Sequence, residues 1–135
     1  MIEKLKRNRF LWYQGPMILW AAALFAQSSV PGDKIPNFEF LAHDKLIHFL
    51  IYVVFAWAVN RALQHQERFP FLAKHHYLFA ILIVAAYGIT DELHQFAVPN
   101  RSASVLDWIA DCVGALAVAT FYWLKAKLRP VRAES

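Results

Sequence analysis

The polar residues of this 135-residue chain that could do chemistry stand in three groups. His43, Asp44, Lys45 and His48 form the first, and Asp91, Glu92, His94 and Gln95 the second. Arg101, Ser102 and Ser104 lead into Asp107 and Asp111, the third. Carboxylates beside an imidazole supply a general base, or hard ligands for a divalent metal. A guanidinium offers a planar fork for phosphate or carboxylate. Helical spacing aligns the members of each group. Asp44, His48 and Tyr52 recur at i, i+4, i+8, Asp91 and Gln95 at i, i+4, and Asp107, Asp111 and Gly114 along one stripe. No nucleophile motif accompanies them, and no His-x-x-x-His pair lies within the apolar stretches.

The elements that must position these groups are membrane helices. The chain is 59% hydrophobic, 16% aromatic and only 18% charged, against roughly 45–50% apolar and about 25% charged in soluble domains. That composition argues against a soluble enzyme and against a disordered tail. Four stretches approach the roughly 20 apolar residues needed to cross a bilayer: 10–27, 45–63, 77–96 and 105–124. The expected fold is all-α, an integral membrane four-helix bundle spanning 10–124, between basic tails at 1–9 and 125–135. The first stretch is long for a signal peptide, and Leu24-Phe25-Ala26 lacks a small residue at the outer cleavage position. Gln14, Gly15 and Pro16 stand near its start, where a kink is tolerated. Cys112, alone, excludes an internal disulfide and a Cys-based zinc site.

Basic residues set the sidedness. Eleven of the fourteen Lys and Arg lie in the two tails and the middle loop; Lys34, Lys45 and Arg101 lie in the other two loops. The positive-inside rule places both termini in the cytoplasm. These charges read as a topology signal with attraction to anionic lipid, and no nucleic-acid partner is expected. All three groups then face the outer side. At 1.5 Å per residue His48 lies roughly 6 Å and Asp111 roughly 10 Å below the outer end, and Asp91 about 21 Å above the cytoplasmic end. A charged side chain at mid-membrane costs about 2.5–3.5 kcal/mol, whereas Leu or Phe returns only about 0.3–0.6. Such acids must face one another, a water-filled cavity or a ligand. Five acids stand against two permanent cations, Lys45 and Arg101. At least one acid is therefore expected to be protonated, or a cationic partner or metal to enter.

Other residues have plainer readings. Ser104 with Asp107 fits a capping box that opens the fourth helix. Asp44 reads equally as a helix cap or a site residue, and Lys45 as a side chain snorkelling to the interface. Arg101 reads as the counter-ion that holds its loop to an acid, or as a ligand for an anionic group. His94 reads as interfacial, and His65, His75 and His76 as solvated. Gly114 with Ala110 gives a small-xxx-small packing face. The five Trp residues read as interface or packing residues, and Cys112 as a buried small side chain.

The segment Asp44-Lys45-Leu46-Ile47-His48-Phe49, followed by Tyr52, resembles the first signature of the VanZ-like family. Asp91-Glu92-Leu93-His94-Gln95-Phe96-Ala97-Val98-Pro99-Asn100-Arg101, then Ser104, Asp107, Asp111 and Gly114, resembles the second. The likeness runs from about His43 to Val118. It implies a small multi-pass protein of the bacterial inner membrane, from a family named after a teicoplanin-resistance protein, and brings no reaction with it. Asn100 stands where the family often has Gly, and Asp111 where it often has Asn.

The expected site is Asp44, His48, Asp91, Glu92, Gln95, Arg101, Asp107 and Asp111. Its first reading is an outward-facing pocket that binds or shields an amphiphilic envelope ligand: a lipid-linked precursor, a phospholipid or a lipoglycopeptide. Glycopeptide tolerance is the phenotype that would follow. The alternative is an intramembrane hydrolase or transferase acting on a lipid headgroup. No cofactor is required, although a divalent metal fits the second reading. Proton-coupled transport ranks behind both, since four helices are few unless a homo-oligomer forms. A packed bundle without a ligand is the plainest reading. The lipid bilayer is the one partner all of them share.

Overall fold

Asn8 starts the first helix by accepting the Leu11 N–H on its side chain at 3.3 Å. The structure, a computed structural model, describes residues 8–35 and 41–128. Helix α1 (Arg9–Ser28) runs through Pro16. Proline has no N–H for the carbonyl one turn earlier, and here the Trp12 carbonyl is taken instead by Arg61 Nη1 at 2.7 Å. The same guanidinium lies over the rings of Trp12, Tyr13 and Trp57. A proline in one helix is thus answered by an arginine from the next, which binds the two at that end.

A 3-10 turn at Gly32–Lys34 follows, then α2 (Leu41–His65), the short α3 (Pro70–Lys74), α4 (His76–Phe96) and α5 (Val105–Lys127). The described residues are all-α, with four long helices. Three of these are long and apolar enough to cross a membrane: Asp44–His65 of α2, and all of α4 and α5. The 20 residues of α1 are about 30 Å long, but Arg9, Gln14, Gln27 and Ser28 dilute their apolar character.

The helices differ from the sequence expectation at their ends. Helix α2 begins at Leu41, so Asp44 lies inside its first turn and is not its cap. Helix α5 continues to Lys127, so part of the expected C-terminal tail is helical, and the middle loop holds α3. The remainder of the expected tails, at 1–7 and 129–135, lies outside the described residues.

Helix α2 is central, packing on α1, α4 and most extensively α5. The α2–α5 approach is close because Gly114 has no side chain. A Cβ there would sit 2.9 Å from the Phe49 carbonyl oxygen and 3.1 Å from the Val53 amide. Tyr52, Phe55, Val59 and Val84 fill the core beside the small Ala56, Ala80 and Ala115. Leu19, Leu82, Leu93, Phe96 and Phe121 point outward and are more than half exposed. So much outward apolar surface suits lipid rather than water. Indole N–H groups pin helices together: Trp20 donates to the Ile51 carbonyl at 3.2 Å and Trp108 to that of Ala85 at 3.0 Å. Cys112 is half-buried rather than buried.

Candidate functional site

The three groups converge at one end of the bundle, carried there by the first turns of α2, the last turns of α4 and the first turns of α5. Lys45 Nζ donates to Asp107 Oδ1, and to Asp44 Oδ2 at 3.1 Å. Its side chain is only 22% exposed, so Lys45 is a partner of the buried Asp107 and does not snorkel outward as expected. One turn on, His48 Nδ1 lies 3.1 Å from Asp111 Oδ1, and its Nε2 lies 4.0 Å from Asp107 Oδ2. A further turn on, the Tyr52 hydroxyl donates to Asp91 Oδ2 at 3.4 Å, and Gln95 Nε2 donates to the same oxygen at 3.0 Å. Of the i, i+4, i+8 stripe of α2, His48 thus meets α5 and Tyr52 meets α4, while Asp44 pairs with Lys45 on its own helix.

Ser104 caps α5 as expected, its hydroxyl accepting the Asp107 N–H at 3.4 Å. In an ordinary capping box the acid three residues on returns to the cap residue's own N–H. Here Glu92, from α4, takes that N–H with Oε2 at 2.6 Å. Asp107 is thereby left to face Lys45 and His48. The second group on α4 therefore both contributes to the site and fixes where α5 begins.

Asp91, Glu92, Gln95, Asp107 and Asp111 are all buried, Asp111 completely. Burying a carboxylate is expensive unless it is paired and hydrogen-bonded. The pairing is uneven. Among the described residues Asp111 Oδ2 and Glu92 Oε1 are buried without a hydrogen-bond partner. Gly88 makes room for the first, since a Cβ there would come within 3.2 Å of Asp111 Oδ2.

A cavity of about 90 Å³ adjoins this network, its lining including Asp44, His48, Tyr52, Asp91 and Arg101 and, from α1, Leu24 and Gln27. Arg101 was expected to hold its loop to an acid, but it forms no ion pair with any described residue, and its Nε is buried without a partner. The loop is held by backbone instead. The Gly32 N–H donates to the Pro99 carbonyl at 3.1 Å, and Asn100 takes the left-handed conformation, φ 58°, that the family's usual Gly also allows. His94 sits at the α1–α4 edge, 2.8 Å from Ser29 Oγ and stacked on Phe25.

All eight expected residues are in or against this one site. Tyr52 and Lys45 join them; the sequence placed Tyr52 on the right face, and only the fold supplied its partner. A second polar pair was missed. Asn60 is completely buried at the opposite end, its Oδ1 2.7 Å from His76 Nδ1. An amide inside the apolar run Val53–Leu63 was its signal. His76 is therefore not solvated, and His65 stacks on Tyr13.

The architecture and its buried polar cluster define a small multi-pass helical membrane protein. Residues 10–126 match the VanZ/LLP1 family, and the chain belongs to it. No curated protein and no solved structure matches.

Proposed function

We propose that the protein engages the small anionic headgroup of an amphiphile in the bacterial inner membrane, at the end of the bundle facing away from the cytoplasm. The observation that carries this reading is Arg101, a permanent cation lining a small cavity without an acidic partner among the described residues. Its fork matches a phosphate or carboxylate. The volume narrows the ligand. Drug-sized ligands occupy pockets of about 300–1,000 Å³, while about 90 Å³ takes one small group. A phospholipid or a lipid-linked precursor fits; the whole head of a lipoglycopeptide does not. Glycopeptide tolerance would then arise through the lipid bound, not by enclosing the drug. An apolar groove of about 440 Å³ between α2 and α5 begins at Phe49, beside His48, and continues to Phe121 and Tyr122. It suits an acyl or isoprenoid tail.

In this reading all four long helices cross the bilayer, with both termini cytoplasmic, as the distribution of Lys and Arg requires. Reporter fusions at the middle loop and at Ser102 test the sidedness. The ligand test is native mass spectrometry of the protein extracted with its lipids, followed by rebinding of phosphatidylglycerol and a polyprenyl phosphate. A hydrogen bond to a charged group contributes about 1.5–3 kcal/mol. Arg101→Ala should therefore weaken rebinding by roughly 10-fold or more. Equal rebinding by correctly inserted Arg101→Ala protein refutes the proposal.

A second reading, hydrolysis or transfer at the headgroup, is favoured by one feature. His48 lines the cavity while Asp111 holds its Nδ1, the arrangement of a general base with its orienting carboxylate. Turnover of the bound lipid phosphate, abolished in His48→Ala, would support this reading.

A further inference from the structure

We infer that His48, Glu92 and Asp111 bind one divalent transition-metal ion, with Zn²⁺ the best fit. The site lies beside the headgroup cavity and shares only His48 with it, so this inference stands whether or not a headgroup binds. Each residue comes from a different helix, α2, α4 and α5, and one ligand atom from each lies within 4.8 Å of the other two. Ligands about 2.0–2.2 Å from a tetrahedral ion stand about 3.3–3.6 Å apart, so these atoms need draw in by at most about 1.5 Å. Small side-chain rotations therefore close the site without moving a helix.

An independent observation points to an occupant. Asp111 Oδ2 and Glu92 Oε1, on residues 0% and 8% exposed, are buried with no partner among the described residues. Buried polar oxygens are rarely left unsatisfied in native proteins, and a cation satisfies both together. The surroundings are those of a metal centre. The Ser104 N–H fixes Glu92 through Oε2 and leaves Oε1 for the ion, as outer hydrogen bonds orient ligating carboxylates elsewhere. Lys45 is committed to Asp107 and Asp44 and does not compete. Two carboxylates neutralise a divalent ion, which reduces the excess of acids over cations in the pocket. One imidazole with two carboxylates favours Zn²⁺, Mn²⁺ or Fe²⁺ over Mg²⁺ and Ca²⁺. Three protein ligands leave a coordination position open.

The experiment is titration of the purified full chain in lipid nanodiscs with Zn²⁺ by calorimetry, with metal analysis after dialysis. The expected result is one Zn²⁺ per chain, resistant to excess Mg²⁺. Asp111→Asn and Glu92→Gln, which keep side-chain shape, should each weaken binding by more than the roughly 10–100-fold seen on losing an outer-shell partner. A His65→Ala/His75→Ala variant, altered only at the opposite end, should bind as wild type does. Absence of Zn²⁺ from the wild-type chain overturns the inference. So does equal binding by Asp111→Asn, loss of binding in the His65/His75 variant, or displacement by Mg²⁺. Lipid rebinding scored on the same samples keeps failure of the metal site distinct from failure of the headgroup reading.

Discussion

Replacing Gly114 by Ala would place a methyl group 2.9 Å from the Phe49 carbonyl oxygen and 3.1 Å from the Val53 amide nitrogen. Both atoms are helix backbone, so no rotamer change relieves the contact. Reaching an ordinary carbon contact of 3.4 Å or more requires α2 and α5 to separate by about half an ångström. Asp111 lies one turn from Gly114, and His48 adjoins Phe49. The separation therefore reaches the 3.1 Å His48–Asp111 contact with little loss and stretches it past hydrogen-bonding distance. Overpacking costs typically about 1–3 kcal/mol, and a weakened hydrogen bond about 1 kcal/mol more, so a destabilisation of about 2–3 kcal/mol is expected. Reversible unfolding in mixed detergent micelles measures it. Leu116→Ala, on the 51% exposed face of the same helix, serves as control and should stay within about 0.5 kcal/mol of wild type. A Gly114→Ala protein as stable as that control would refute the reasoning, because the helices would then not touch at this point.

Lys45→Met leaves Asp107 buried without its cation and should destabilise by about 3 kcal/mol or more; adding Asp107→Asn should recover much of the loss in the same unfolding assay. Ser104→Ala removes the cap of α5 and should cost about 0.5–2 kcal/mol. Glu92→Ala acts on the same helix start, so the double substitution should depart from additivity. Gly32→Ala would drive a Cβ into the Asn100 carbonyl oxygen, displacing the loop that carries Arg101. Phospholipid rebinding should then fall as it does for Arg101→Ala, while the helical circular dichroism signal stays near wild type.

Most of the fold was legible because lipid demands long apolar helices, and the four apolar stretches became four long helices. What was hidden depended on contacts between them. No local rule says that the N–H of Ser104 will be taken by Glu92 rather than Asp107, since the box-forming residue is present in the sequence and is outcompeted in space. Lys45 looked like a snorkelling side chain because its own helix gives it a route outward; Asp107, on another helix, holds it inward. The site residues were legible because ionisable groups in apolar helices are costly and therefore few. Their arrangement as a carboxylate–imidazole cluster adjoining an arginine-lined cavity was not, because helical periodicity gives faces without saying which faces meet. The Asn60–His76 pair escaped notice because an amide carries no charge to mark it.

Helices α2 and α5 bring an imidazole and a carboxylate into direct contact inside the bundle, and the site depends on that contact. A double-mutant cycle on His48 and Asp111, using His48→Ala, Asp111→Ala and the pair, measures that contact through unfolding free energies. Coupling of roughly 1 kcal/mol or more is predicted, within the range of about 0.5–3 kcal/mol found for residues in contact. Additivity to within about 0.3–0.5 kcal/mol, the behaviour of distant residues, would contradict it.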